Sequence, residues 1–259
     1  MEMSTEFIWE NLNHPKLAEL REEFELEKIV RKGRTATWKQ SLLQEWLHDF
    51  IPHGTPEKDY YNESALEILR DAKAGKPMWC TQFAFAYLQC AQALGMQARK
   101  LSVDWDHDKN TEDRHHGVVD VWSPELQKWY VLDPMNNLMF YHKGKPMSSV
   151  EIREQWLKDK AQWMEGQLVG SWKTIFYPED ATGFDTPSNY FWIYTSLRNN
   201  FMTEPGLFKT KGLLWVDEYN KDKRWYRGNG KEALAEHNGY KGQFIEVSDL
   251  DTLYPKLNS

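Results

Sequence analysis

Cys80-Thr-Gln-Phe-Ala-Phe-Ala-Tyr-Leu-Gln-Cys-Ala-Gln-Ala-Leu94, stopped by Gly95, is the segment that decides the fold. Phe83, Tyr87, Cys90, Ala91 and Leu94 recur at helical spacing, while Gln82, Gln89 and Gln92 fall elsewhere. This pattern predicts an amphipathic helix with one apolar face, and Gly95 stands where a left-handed C-cap belongs. Pro77 just upstream supports a helix start near Cys80. Cys80 then lies in the first turn, where unpaired N–H groups and the helix dipole favour a thiolate and make it a nucleophile near neutral pH.

Two apolar runs follow, His116-Gly-Val-Val-Asp-Val-Trp122 and Lys128-Trp-Tyr-Val-Leu-Asp133. As strands, the first sets 116, 118, 120 and 122 on one face, and the second sets 129, 131 and 133 on one face. Ser123-Pro-Glu-Leu126 supplies a four-residue turn. Pairing Trp122 with Gln127 then places His116 opposite Asp133, with β-carbons about 4.5–5.5 Å apart. A slip of one residue would send Asp133 to the other face. A Cys, a His and an Asp in this order suggest a thiol nucleophile with its base and the group that orients the base.

Four motifs occur in order: Cys80-x-x-Phe83-Ala84, Leu94-Gly-Met-Gln-Ala-Arg99, His116-Gly-Val-Val-Asp-Val, and Trp129-Tyr-Val-Leu-Asp133-Pro134. Together they resemble the core of the transglutaminase-like superfamily, relatives of papain-type thiol enzymes, over roughly residues 62–142. Residues 36–80 also resemble the lead-in of bacterial members, with a Trp-rich helix, Ile51-Pro-His-Gly54 and Ala74-Gly-Lys76 before the Cys. The resemblance implies Cys80 as nucleophile, His116 as general base and acid, and Asp133 as the group that orients the imidazole. Where the family carries an aromatic after the histidine, this chain has Gly117-Val118.

Blander readings stand beside these. Cys90 lies on the apolar helix face, about 15 Å along the axis from Cys80, which is too far for a disulfide and fits core packing. His115 is an alternative base that points to the other side of the strand, and Asp133 could simply cap a turn before Pro134. Residues 104–113 alternate acids but lack the Gly and Glu of a calcium loop, with Lys109 and His115 at those places, so a solvated hairpin tip is expected there and no metal site. No cofactor is implied.

The chain has 259 residues, 41% hydrophobic and 14% aromatic, enough for a full core. Its pattern divides into a helical N-terminal region at 1–60, a catalytic core at 61–145, and a helix plus β-rich region at 146–259 that completes the same unit. The expected class is α+β: an antiparallel sheet packed on the nucleophile helix, with a small β-rich C-terminal lobe. A net charge of −7 argues against nucleic acid and anionic membranes as partners, and no apolar run is long enough to span a bilayer. Thirteen Trp and twelve Tyr fit core packing, or a cleft with aromatic walls for a peptide, protein or glycopeptide. As written, the N-terminus lacks an export signal, which points to the cytoplasm; exported bacterial relatives make a periplasmic or secreted protein the alternative, if a leader has been removed. Three functions remain open: a thiol amidohydrolase or peptidase, a protein-glutamine amine acyltransferase, and a non-catalytic binding module. Oligomeric state is not readable.

Overall fold

The computed structural model describes residues 5–58, 60, 64–106, 115–158, 172–174, 187–204, 211–223 and 244–257. Five helices precede the first strand: α1 (Pro15–Glu23), α2 (Leu26–Val30), α3 (Ala36–Phe50), α4 (Ala65–Lys73) and α5 (Cys80–Ala93). Leu17, Leu20, Phe24 and Leu26 have helical spacing, yet Glu25 takes a left-handed conformation (φ 51°) and splits that run into α1 and α2. Thr35 caps α3 by accepting from the Trp38 N–H.

The strands are β1 (Ala98–Asp104), β2 (His115–Ser123), β3 (Lys128–Leu132), β4 (Phe140–His142), β5 (Lys145–Pro146), β6 (Trp172–Thr174), β7 (Trp192–Ser196), β8 (Gly212–Trp215) and β9 (Phe244–Val247). Six form one sheet in the order β3-β2-β1-β7-β8-β9, antiparallel except for β8 against β9; β5-β4-β6 form a smaller sheet. Helix α6 (Ser149–Lys158) lies between β5 and β6 in sequence, and α7 (Leu250–Leu253) follows β9. The class is α+β, and strands from the last third of the chain extend the sheet begun by β1. The sequence pattern of residues 146–259 predicts a helix over 150–165 and strands at 173–177, 223–226 and 243–247; of these, residues 159–165, 175–177, 224–226 and 243 lie outside the described ones.

Helix α5 departs from its expected amphipathic character. All residues from Thr81 to Ala93 are buried, because α1, α3 and α4 pack on it from one side and β1 and β2 from the other. Its glutamines are buried, and two of them have partners from distant parts of the chain. Gln82 accepts from the Trp79 N–H, Gln89 accepts from the Ala65 N–H that opens α4 (2.8 Å), and Gln92 donates to the Asn199 carbonyl (2.8 Å). Gln89 and Gln92 are satisfied on one side only, since Gln89 Nε2 and Gln92 Oε1 are buried without a partner, so each bond made offsets part of a desolvation cost of about 1–3 kcal/mol. Gly95 has the expected positive φ, 73°.

The hairpin corrects the expected register. Trp122 pairs with Trp129 and Val119 with Leu132, two residues away from the pairing of Trp122 with Gln127. The loop is residues 124–127, and Gln127 closes it in a left-handed conformation (φ 49°). An even shift preserves parity, so His116 and Asp133 still share a face, now diagonally. Beneath the hairpin, Arg99 is fully buried; its Nε and Nη2 donate to Asp120 Oδ2 (3.1 and 2.8 Å), and the guanidinium stacks on Phe7, Trp129 and Tyr254. This caged ion pair fastens β1 to β2 and holds both chain ends against the sheet.

Candidate active site

Helix α5 begins where β2 begins. A β-carbon on Gly117 would stand 3.2 Å from the Thr81 N and Cα and 3.3 Å from the Cys80 carbonyl carbon. Only a residue without a side chain lets the strand come this close without displacing the first turn of the helix. The approach brings the Gly117 N–H into hydrogen bonding with the Cys80 sulfur and sets His116 beside it. Glycine at 117 thus spares the first turn of α5 a shift of a few tenths of an ångström.

The structure brings Cys80, His116 and Asp133 together. The His116 imidazole hydrogen-bonds the Cys80 sulfur on one side. On the other, its Nε2 lies 2.5 Å from Asp133 Oδ2. With Nε2 so engaged, Nδ1 is the nitrogen that faces the thiol. His116 and Asp133 are buried and Cys80 is partly exposed.

Burial alone pushes the Cys80 thiol up; the hydrogen bond and charge of His116, the Gly117 N–H and the more distant Lys100 charge outweigh it and lower the pKa overall. Burial pushes His116 down, but the charge and hydrogen bond of Asp133, with those of Cys80, raise it well above an ordinary histidine. Burial raises Asp133, and His116 and Asn136 more than offset this, leaving it a carboxylate. The three shifts favour a thiolate–imidazolium pair backed by a carboxylate. Cys90, buried with no such partners, is pushed far up.

Asp133 also caps a turn. Its Oδ1 accepts from the Asn136 N–H (3.2 Å) while Oδ2 accepts from Asn136 Nδ2 (3.0 Å) as well as facing His116. The turn-cap reading and the orienting reading therefore hold at once, one on each oxygen. Sequence reasoning missed Asn136, although the Asp133-x-x-Asn136 spacing of an Asx-type turn was its signal. The turn is braced from α3, where His48 Nδ1 lies 2.7 Å from the Met135 carbonyl and Gln44 donates to Asn137 Oδ1 (3.0 Å). Asn137 itself is left-handed (φ 52°).

His115 lies in a different cluster. Its Nδ1 is 2.9 Å from both Asp104 Oδ1 and the Tyr194 hydroxyl. Asp104 is fully buried, and Asp106 accepts two 3.0 Å bonds from Lys223 Nζ. The sequence led us to expect a solvated segment, but its start is buried in these contacts; residues 107–114 lie outside the described ones. Among the described residues, no group of three or more His, Cys, Asp or Glu is placed to hold a metal ion.

The environments of the two cysteines predict selective chemistry. Iodoacetamide at pH 6–7 should modify Cys80 at least about 100-fold faster than Cys90, because neighbours lower only the Cys80 thiol, burial raises that of Cys90, and only Cys80 reaches solvent. Peptide mapping by mass spectrometry reads the ratio, and equal rates would remove the basis for treating Cys80 as the nucleophile.

Residues 26–134 match the model of the transglutaminase-like superfamily, a span that contains Cys80, His116 and Asp133. A search of curated proteins gives no match. Among solved structures, a "putative cysteine protease" from Cytophaga hutchinsonii aligns at 13% identity and a TM-score of 0.37, over 46% of this chain and 37% of its own. No helix among the described residues is long and apolar enough to cross a membrane.

Proposed function

We propose that this chain, whose residues 26–134 match the model of the transglutaminase-like superfamily, is a thiol amidohydrolase or peptidase that works through a thioester on Cys80. The observation that carries the reading is the continuous chain of contacts from the Cys80 sulfur through His116 to Asp133. In the first half-reaction the thiolate attacks the amide carbonyl carbon and forms a C–S bond. The negative charge passes to the carbonyl oxygen, where the backbone N–H of Cys80, in the unpaired first turn of α5, is the nearest natural donor. The tetrahedral intermediate then collapses with cleavage of C–N, and the imidazolium gives its proton to the departing amine.

In the second half-reaction neutral His116 takes a proton from water as the water attacks the thioester. Cleavage of C–S returns the thiolate and releases the acid. Asp133 stabilises the imidazolium at both stages without taking its proton. Trp79, half exposed immediately before the nucleophile, supplies an aromatic surface beside the reacting carbonyl.

Incubation with a peptide amide and a labelled primary amine, followed by mass spectrometry, tests the reading. Free acid in place of the amide is the expected result, and Cys80→Ala should give none. A labelled adduct in place of free acid would make the protein an amine acyltransfer enzyme. An unchanged amide across a peptide library, with Cys80 still reactive to iodoacetamide, would return the site to a binding role.

A further inference from the structure

The chain carries a net charge of −7, yet Arg21, Arg31, Arg34 and Lys39 line one cavity of about 690 Å³. It lies at the junction of α1, α2, the start of α3 and the end of α5. A single carboxylate, Glu27, shares the lining, and it sits 3.8 Å from Arg21. Among the described residues Arg31, Arg34 and Lys39 have no carboxylate partner. Unneutralised like charges around a concave volume repel one another and focus a positive potential into it.

The surrounding structure fixes Arg21 and the turn that carries Arg34. Arg21 Nη1 donates to the Ala93 carbonyl at the end of α5 (2.9 Å), which sets one guanidinium in the wall. A β-carbon on Gly33 would stand 2.8 Å from the Lys39 N, so the turn carrying Arg34 lies flat against the first turn of α3. The start of α3 itself is not the attraction, because Glu125 already accepts from its Ala36 N–H. Binding here would rest on the side chains.

We propose that this cavity binds a small molecule carrying two or more phosphate groups. Its volume falls within the range of about 300–1,000 Å³ typical of small-molecule sites. Planar guanidinium forks match phosphate oxygens two at a time, and one phosphate would leave most of the positive charge uncompensated. The fourteen residues of α5 separate this site from Cys80, a helix length of about 20 Å. It is therefore a second site, and its occupancy does not depend on the chemistry proposed for the first.

Isothermal titration of the full chain with tripolyphosphate tests the proposal. Saturable one-to-one binding is expected, weaker as salt rises from about 0.05 to 0.2 M and weaker by at least about tenfold in Arg31→Ala and in Arg34→Ala. These side chains are exposed, and matching circular dichroism spectra check that the variants fold; Lys39→Gln gives an independent third variant. Inorganic phosphate and citrate, run in parallel, should bind more weakly. No saturable binding, unchanged affinity in all three variants, or citrate binding as tightly as tripolyphosphate would overturn the proposal, the last by reducing the cavity to a general polyanion surface.

Discussion

Replacing His116 by Ala should abolish amide turnover and, separately, take the thiolate away from Cys80. The two effects have one cause. Burial raises the Cys80 pKa, and His116 is the largest influence in the opposite direction. Without it the thiol returns toward its ordinary value, with burial opposed only by the Gly117 N–H and Lys100. An ordinary cysteine is about 1% thiolate at pH 6.5, so iodoacetamide labelling at that pH should slow by about 100-fold or more.

The sign of the pH dependence is fixed by the same shifts. In the native protein the reactive pair exists between the lowered pKa of Cys80 and the raised pKa of His116. Labelling should therefore persist into acid where a free thiol is silent, and turnover should fall at alkaline pH as the imidazolium loses the proton needed by the leaving amine. In His116→Ala the acid limb of the labelling profile should move up in pH. A variant that still labels quickly at pH 6.5 would show that the helix start alone supports the thiolate. A fully active His116→Ala with an inactive His115→Ala would transfer the base role to the cluster formed by Asp104 and Tyr194.

Much of this was legible in the sequence where one physical rule acts alone. The 3.6-residue spacing from Phe83 to Leu94 and the stop at Gly95 gave α5, and alternation gave β2 and β3 nearly to the residue. What failed to show depends on partners distant in sequence or on backbone states the side chain does not announce. The burial of Gln89 follows from the Ala65 N–H, twenty-four residues away, and that of Gln92 from the Asn199 carbonyl. The hairpin register turned on Gln127 adopting a left-handed conformation that few non-glycine residues take. The expected pairing of His116 with Asp133 survived because the error was an even number of residues. Gly117, readable only as a missing aromatic, acquires its reason from the close passage of Cys80 and Thr81.

Asp133→Asn should slow turnover by about 10²–10⁴-fold while leaving a measurable rate, and Asn136 should decide how much remains. An asparagine here has two orientations. With its carbonyl oxygen in the place of Oδ2 it still accepts from His116 Nε2 and Asn136 Nδ2, and its amide group faces the Asn136 N–H, donor against donor. Turned the other way, the amide group meets both His116 Nε2 and Asn136 Nδ2. The imidazole proton is then forced onto Nδ1, toward the sulfur, where a base is needed. Once the proton has moved to Nδ1, the second orientation keeps one donor clash, with Asn136 Nδ2, whereas the first turns that same Nδ2 into a hydrogen-bond donor to the new carbonyl oxygen, so the intact Asn136 biases the variant toward the productive tautomer. Removing that bias with Asn136→Ala in the Asp133→Asn background should cut the residual rate by a further factor of about five, since one lost neutral hydrogen bond is worth about 1 kcal/mol. The charge is lost in either orientation, and Asp133 is the main reason His116 is held high. The alkaline limb of the rate profile should therefore move to lower pH in both variants, as imidazolium gives way to imidazole earlier. Equal rates in the single and double variants, or an alkaline limb that stays in place, would mean that Asp133 serves the turn through Oδ1 and leaves the imidazole to be oriented by other groups.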